Sequence, residues 1–254
     1  MKRILTALAL LPLAFYGTFW APYWGFFAIV ACVAALCFYE YSGIVAAHGF
    51  ERPGLVAYIA GILLLYNPSP LVLVAIAVLA LALRLDELAQ VLPSAGAALL
   101  GIVYVFGGWR AAIDLHAISS YWLLFALAVN WVGDIAAYYT GRAIGRHRLA
   151  PVVSPKKSWE GAAGSIVATV VFGLAFRRWL GIGIPETVLL SAVGNVAGQL
   201  GDLAESAMKR GAGVKDSGNL LPGHGGWLDR LDSSLFSMPV IYWLHMAMGL
   251  RVGY

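Results

Sequence analysis

The stretch SYWLLFALAVNWVGDIAAYYTGR, residues 120–142, decides the fold class of this chain. A helix needs about 20 mostly apolar residues to cross the hydrocarbon core of a bilayer, and this stretch is long enough. Its polar residues recur every four positions, at Asn130, Asp134, Tyr138 and Arg142. Residues four apart share one face of a helix. The stretch therefore predicts a membrane helix that carries a single polar stripe.

The rest of the chain has the same apolar character. Of its 254 residues, 61% are hydrophobic and 12% are charged, whereas soluble domains carry about 25% charged residues. We predict an all-α, polytopic integral membrane helix bundle with about nine transmembrane helices. Apolar runs separated by proline and glycine place the helices at 4–19, 23–46, 54–66, 70–83, 94–109, 120–142, 162–179, 186–209 and 233–250.

The distribution of basic residues predicts the orientation. The first run has a basic start like a signal peptide, but more apolar runs follow it directly, so we expect an uncleaved first span. With a cytoplasmic N-terminus, the inner loops contain 13 of the 17 lysines and arginines. The positive-inside rule then predicts a multi-pass protein of the cell inner membrane with an external C-terminus. Arg177 and Arg178 are the main exceptions. The charged loops 143–161 and 210–232 both fall on the cytoplasmic side.

A second predicted helix, 186–209, also carries a polar stripe. Ionisable residues are costly inside a membrane and mark cavities or functional sites. Together with helix 120–142, the stripe predicts a hydrated cavity that opens to the cytoplasm. For the asparagine and glutamine positions, hydrogen bonding between helices without any ligand is the alternative. The polar residues of this helix recur every three or four positions, at Asn195, Gln199, Asp202, Glu205, Ser206 and Lys209.

The loop KRGAGVKDSGNLLPGHGGWLDRLDS, residues 209–233, combines six glycines with both signs of charge. Glycine lets the backbone approach a ligand closely and turn its N–H groups toward phosphate. Carboxylates among basic residues indicate Mg²⁺ on a polyphosphate, with the carboxylates on the metal and the lysines on the phosphates. Asp229 and Asp232 lie three positions apart and share a face if this segment is helical.

A second basic segment, SPKKSWEG at residues 154–161, precedes another predicted helix. Ser158 is a candidate N-cap for that helix. Glu160 then lies near the helix N-terminus, where a carboxylate is electrostatically favoured. The pair Lys156 and Lys157 beside a helix N-terminus predicts a phosphate site.

The run Ser206-x-x-Lys209-Arg210-(x4)-Lys215-Asp216-(x5)-Pro222-x-His224-Gly225-Gly226-x-x-Asp229-Arg230-x-Asp232 resembles the signature of phosphatidate cytidylyltransferases, also called CDP-diglyceride synthases. The stretch 133–161 resembles the second recognisable block of that family. The first 110 residues resemble it only in being hydrophobic. We therefore divide the chain into N-terminal transmembrane helices, 1–110, and a C-terminal transmembrane catalytic region, 111–254. Two residues depart from the family pattern, Trp227 in place of a smaller apolar residue or phenylalanine and Ser158 in place of threonine.

The resemblance implies a reaction in phospholipid biosynthesis. CMP passes from CTP to phosphatidate, and the products are CDP-diacylglycerol and pyrophosphate. The implied cofactor is Mg²⁺, and a second cation such as K⁺ stays open. The implied partners are CTP, phosphatidate and membrane lipid, with no nucleic acid, and the implied assembly is a homodimer.

Roles are assigned by similarity, residue by residue. The candidate catalytic residues are Asp202, Lys209, Lys215, Asp216, His224 and Asp229. The candidate metal ligands are Asp202, Asp229 and, more weakly, Asp232. The candidate substrate-binding residues are Asn130, Asp134, Lys156, Lys157, Ser206, Arg210 and Arg230. For His224, packing within the loop is the alternative to binding or protonating a phosphate.

Two other functions stay open. One is an enzyme that uses CTP on another lipid, such as a polyprenol kinase or a CDP-archaeol synthase. The other is an ion or solute transporter with carboxylates Asp134 and Asp202 near the membrane midplane. A transporter predicts substrate flux and tolerance of changes in the charged loops, whereas an enzyme does not tolerate such changes.

Overall fold

The computed structural model describes residues 12, 14–221, 223 and 225–250. Residues 14–19 are helical, and most of the predicted helix 4–19 lies outside the described residues. The labelled helices are α1 Tyr23–Ala47, α2 Leu55–Tyr66, α3 Leu71–Ala82, α4 Leu88–Gly101, α5 Gly108–Ile118, α6 Ser120–Ile144, α7 Trp159–Leu180, α8 Ile184–Gly211 and α9 Leu228–Ala247. A π-helical turn, Ile102–Gly107, joins α4 to α5 without a break.

The membrane character follows from helix length and composition. Within the described residues, four helices are long and apolar enough to cross a bilayer, namely Tyr23–Ala47, Leu88–Ile118, Ser120–Ile144 and Trp159–Leu180. The apolar helices α2 and α3 are shorter than a bilayer core requires. The all-α membrane fold is confirmed, whereas the number of about nine spans stays a prediction.

One predicted helix was placed wrongly. The sequence indicated a helix over 94–109, but the helix begins at Leu88 and continues to Ile118. The predicted range ends just before Arg110. In the structure, Arg110 Nη1 donates to the carbonyl oxygens of Leu65, at 3.2 Å, and Tyr66, at 2.5 Å. These carbonyls lie at the C-terminus of α2, where they have no partner within the helix, so the charge is satisfied inside the continuing helix.

The chain forms two compact units. The first unit comprises the chain as far as Arg110 together with Met208–Leu231. Its core contains the buried rings of Phe38, Tyr41 and Phe106, and the Tyr41 hydroxyl donates to the carbonyl of Ala97 at 2.8 Å. A side chain at Gly101 would overlap the Tyr41 ring, so glycine permits the close approach of α1 and α4.

The second unit comprises Ala111–Ala207 and the chain from Asp232 onward. Helices α6 and α7 pack along each other in this unit. In the chain, the two helices are connected by a short antiparallel hairpin of β1, Arg148–Ala150, and β2, Ser154–Ser158. The hairpin was not predicted, because neither segment shows the alternation of apolar and polar residues typical of a strand.

Candidate active site

The centre of the first unit's polar loop is a buried ion pair between α8 and α9. Lys209 in the last turn of α8 donates from Nζ to Asp229 Oδ1 at 2.5 Å. The two side chains are only 9% and 7% exposed. Asp229 lies in the first turn of α9, where the helix dipole favours a negative charge. The predicted catalytic lysine and the predicted metal ligand are therefore direct partners.

Backbone N–H groups complete the surroundings of Asp229. The N–H of Ser217 lies 3.0 Å from Oδ2, and the N–H of Gly226 lies 2.9 Å from the same oxygen. Burial raises the pKa of Asp229, but the hydrogen bonds from Lys209, Gly226 and Ser217 and the charge of Lys209 outweigh it. The net pKa lies below the usual carboxyl value, so Asp229 is ionised at neutral pH.

Close packing in this loop requires glycine at two positions. Gly225 has φ +83°, which is left-handed, and a Cβ there would lie 3.0 Å from Asp229 Oδ2. A Cβ at Gly226 would overlap Ser217 and Glu40. The groups approached here are Asp229, Ser217 and Glu40. The predicted approach of the glycine backbone to phosphate stays a prediction.

Glu40 is a residue of this loop's surroundings that the sequence interpretation missed. It lies in α1, is 2% exposed, and accepts from the Ser217 hydroxyl at 3.0 Å and the Leu228 N–H at 2.9 Å. Both bonds reach Oε2, while Oε1 is buried without a hydrogen-bond partner among the described residues. Glu40 thus fixes both ends of the segment that supplies the Ser217 and Gly226 N–H groups to Asp229. A single carboxylate in an apolar run was the only available signal.

Replacing Glu40 with alanine is expected to loosen this loop. The Ser217 hydroxyl and the Leu228 N–H would lose a buried acceptor, which costs roughly 1–3 kcal/mol for each unsatisfied group. Hydrogen exchange measured by mass spectrometry should speed up in the segment 217–229. The exposed Glu51→Ala is the control and should leave that exchange unchanged. Unchanged protection in Glu40→Ala would show that Glu40 does not hold the loop.

The other predicted residues of the first unit are more exposed. Lys215, Asp216 and Arg230 lie at the surface of the loop. Arg210 is exposed and donates to the Val214 carbonyl at 2.9 Å, so it helps to end α8. His224 lies outside the described residues, and its predicted role stays a prediction.

The second unit contains another ion pair, between Lys157 in β2 and Asp202 in α8. Lys157 Nζ lies 2.5 Å from Asp202 Oδ2, and the side chains are 27% and 30% exposed. The Ser206 hydroxyl, one turn further along α8, donates to Asp202 Oδ1 at 3.3 Å. The structure therefore brings together three residues that the sequence assigned to metal and phosphate binding. Lys156 is exposed and lies next to this pair in β2.

The predicted N-cap of α7 is confirmed, although the helix begins at Trp159 and not at the predicted residue 162. Ser158 accepts from the Gly161 N–H at 3.1 Å and is the N-cap residue. Glu160 lies in the first turn of the helix and accepts from the Arg146 N–H at 3.1 Å and from the His147 ring at 2.6 Å. Glu160 thus ties the segment before β1 to the helix N-terminus beside Lys157.

The deeper polar residues of the second unit bond to neighbouring helices. Asn130 is 5% exposed, and its amide nitrogen donates to Ser237 Oγ at 2.7 Å and to the Ala126 carbonyl at 3.0 Å. Asn195 donates to Ser165 Oγ of α7 at 2.9 Å. Gln199 donates to the Ala162 carbonyl of α7 at 3.3 Å and, within α8, to the Asn195 amide oxygen at 2.7 Å. The contacts with Ser237, Ser165 and Ala162 match the alternative of interhelical bonding that the sequence left open for asparagine and glutamine.

Two predicted carboxylates of the second unit have different surroundings. Asp134 is exposed on α6. Asp232 is 8% exposed, and its Oδ1 accepts from the Ser233 N–H at 2.6 Å. Asp232 is helical, as is Asp229, because α9 begins at Leu228 and not at the predicted residue 233.

The carboxylates offer oxygen ligands for a metal, but not a complete cage. Among the described residues, no group of three or more histidine, cysteine, aspartate or glutamate side chains is arranged to hold a metal ion. Mg²⁺ commonly takes one or two carboxylates and completes its coordination with water and substrate phosphates. Asp202 and Asp229 fit that donor chemistry, each in its own unit and each balanced by one lysine.

Comparisons with known proteins agree with the family resemblance of the sequence. A protein named phosphatidate cytidylyltransferase from Bacillus subtilis is 43% identical over 150 residues, which cover 57% of this chain and 56% of the relative. Proteins of the same name from Staphylococcus saprophyticus and Staphylococcus aureus are 41% and 38% identical over 145 residues, or 56% of each chain. The matched region thus spans about half the length of these curated relatives. The profile described as "Cytidylyltransferase family" matches residues 1–248, and the chain belongs to that family.

Proposed function

We propose that this protein transfers CMP from CTP to phosphatidate and releases CDP-diacylglycerol and pyrophosphate. The observation that carries the proposal is the buried Lys209–Asp229 pair inside a glycine-rich loop of a membrane protein. An ionised carboxylate and a lysine at that position suit a metal-bound polyphosphate, and the surrounding membrane helices suit a lipid acceptor. The names of the curated relatives support the same reaction.

The chemistry requires positioning and charge neutralisation. An oxygen of the phosphatidate phosphate forms a bond to the α-phosphorus of CTP, and the bond from that phosphorus to the bridging oxygen of the β-phosphate breaks. The electron pair leaves with pyrophosphate. A phosphomonoester is already a sufficient nucleophile, so no strong general base is needed. Lys209 in the first unit and Lys157 in the second each offer positive charge to phosphate groups, and such charge is how phosphoryl-transfer sites lower the barrier.

We further propose Mg²⁺ as the cofactor. The candidate ligands are Asp229 in the first unit and, in the second unit, Asp202 and, more weakly, Asp232. When bound, Mg²⁺ neutralises charge on the triphosphate. The protein's own part is to keep both carboxylates ionised and oriented. Lys209 and the N–H groups of Ser217 and Gly226 do so for Asp229, and Lys157 with Ser206 does so for Asp202.

Product analysis with different acceptors tests this function. Purified protein with CTP and Mg²⁺ should release pyrophosphate only when phosphatidate is added. A polyprenol kinase would instead respond to a polyprenol and leave CDP, and a CDP-archaeol synthase would prefer an ether-linked archaeal lipid. A transporter would consume no CTP. Any of these outcomes in place of pyrophosphate release with phosphatidate contradicts the proposal.

We propose that the N-terminus and both charged loops face the cytoplasm and that the C-terminus lies outside, because CTP is cytosolic. Asn219 and Ser69 are exposed and fall on opposite sides in this topology. In a background without Cys32 and Cys37, Asn219→Cys should react with an impermeant maleimide only in inside-out vesicles. Ser69→Cys should react in intact spheroplasts. The reverse pattern would contradict the proposed orientation.

The family resemblance also supports a homodimer. The mass of the purified protein in detergent, measured by light scattering with the detergent contribution subtracted, should be twice that of one chain. A monomeric mass for active protein would contradict the dimer.

A further inference from the structure

Arg52, in the loop between α1 and α2, lines two cavities of the first unit. One cavity, of about 280 Å³, has mainly apolar walls from α2, α3 and α4, including Ala57, Val78 and Ala98, with Arg52 and Arg84 also in its lining. The other, of about 390 Å³, lies between Arg52, Glu40 and the loop segment 217–220. One guanidinium therefore adjoins both an apolar cavity and the loop that carries the family signature.

The Arg52 side chain is held in place. Its Nε donates to Ser42 Oγ at 2.9 Å, and Nη2 donates to the Tyr39 carbonyl at 3.3 Å. The guanidinium carbon also lies 4.5 Å from the centre of the Tyr39 ring, as in a cation–π contact. An arginine has five N–H donors, and these two bonds use two of them. The remaining donors of an exposed, fixed guanidinium are available to an anion.

The charges around the cavities favour a ligand with a phosphate group over an uncharged apolar ligand. Arg52 and Arg84 line the apolar cavity with Glu51 as the acidic residue. In the second cavity, Glu40 faces Arg52, but its Oε2 already accepts two hydrogen bonds within the loop. Two arginines match a phosphomonoester, which carries nearly two negative charges at neutral pH and accepts paired hydrogen bonds from a guanidinium.

We infer that Arg52 binds the phosphate of phosphatidate while an acyl chain occupies the apolar cavity of about 280 Å³. Arg84 contributes a second positive charge at that cavity. The inference rests on the proposed function and names the place where its lipid substrate binds. The predicted topology is consistent with it, because the alternation of the nine predicted helices puts Arg52, Arg84 and loop 210–232 on the cytoplasmic side. In this arrangement Arg52 lies next to both the lipid phosphate and the loop that carries the family signature.

An ordinary anchoring arginine is the competing explanation. Such a residue extends its charge to the membrane interface, where lysine performs the same task. A residue that binds phosphate through a planar, two-donor contact does not tolerate lysine equally well. Arg52→Lys therefore separates the two explanations without removing the charge.

Kinetics in mixed micelles with a varied mole fraction of dioleoyl phosphatidate test the inference. Arg52→Gln should raise the KM for phosphatidate about ten- to a hundredfold, the loss expected for a charge-assisted hydrogen bond, with the KM for CTP unchanged. Arg52→Lys should raise the KM for phosphatidate several-fold. Arg84→Gln should raise the KM for phosphatidate by less than Arg52→Gln does. Arg178→Gln, at an exposed position near the end of α7, is the charge-matched control and should behave as wild type. Melting temperatures in detergent verify that each variant is folded.

Wild-type KM for phosphatidate in both Arg52→Gln and Arg52→Lys would overturn the inference, as would equal increases in the KM for phosphatidate and for CTP. If Arg52→Gln does not fold, the Arg52→Lys result decides. Native mass spectrometry measures how much dioleoyl phosphatidate the protein retains without any reaction. It therefore tests the binding site independently of the proposed reaction. If wild type forms no CDP-lipid, the reaction fails. The binding site then stands only if wild type retains phosphatidate about tenfold better than Arg52→Gln, and equal retention rejects it.

Discussion

Asp229→Asn is expected to reduce CDP-lipid synthesis at least a hundredfold, since it removes the charge of a proposed metal ligand. It should also lower the free energy of unfolding by about 3 kcal/mol, because it leaves the Lys209 charge buried without its ionised partner. The pair is 9% and 7% exposed, so little water reaches the orphaned ammonium. Initial rates with CTP and phosphatidate, together with thermal unfolding in detergent, measure the two effects.

A double variant separates the chemical role of Asp229 from its role in stability. Lys209→Met combined with Asp229→Asn removes both charges and should recover much of the lost stability, because no unpaired charge stays buried. Activity should stay lost. Asp86→Asn, the same change at an exposed loop residue, serves as the control. If Asp229→Asn retains synthesis near the wild-type rate, Asp229 does not belong to the reaction centre.

Asp202→Asn is expected to cause a similar loss of synthesis, about a hundredfold or more, with almost no loss of stability. Asp202 and Lys157 are about 30% exposed, and partly exposed ion pairs contribute only about 0–1 kcal/mol. Steady-state kinetics and a melting curve on the same preparation show whether activity falls while the melting temperature stays constant.

The partner lysine supplies a second comparison for Asp202. Lys157→Met should raise the KM for CTP, because the ammonium is proposed to contact phosphate, whereas Lys157→Arg should retain part of the affinity. A large fall in melting temperature for Asp202→Asn would show that this carboxylate is a structural residue, and unchanged kcat would remove it from the metal site.

Features with local causes could be predicted from the sequence. Ser158 caps α7 as expected because a cap depends on residues within one turn. The long apolar runs gave the membrane fold, with α1 at Tyr23–Ala47 against a predicted 23–46.

Features that depend on distant partners could not be predicted. Glu40 contacts Ser217 and Leu228, which lie 177 and 188 positions away, and no spacing in the sequence links them. Arg110 stays inside a helix because two carbonyls of another helix accept its hydrogen bonds. The stripe on α8 was recognised, but whether Asn195 bonds to Ser165 or to a ligand depends on helix packing, which periodicity does not specify.

The most direct test of the central claim uses CTP labelled at either its α- or its γ-phosphate. Purified protein with Mg²⁺ and phosphatidate is predicted to place the α label in CDP-diacylglycerol and the γ label in pyrophosphate, in equal amounts. Transfer of the γ label to a lipid, or no labelled lipid from either nucleotide, would contradict the account.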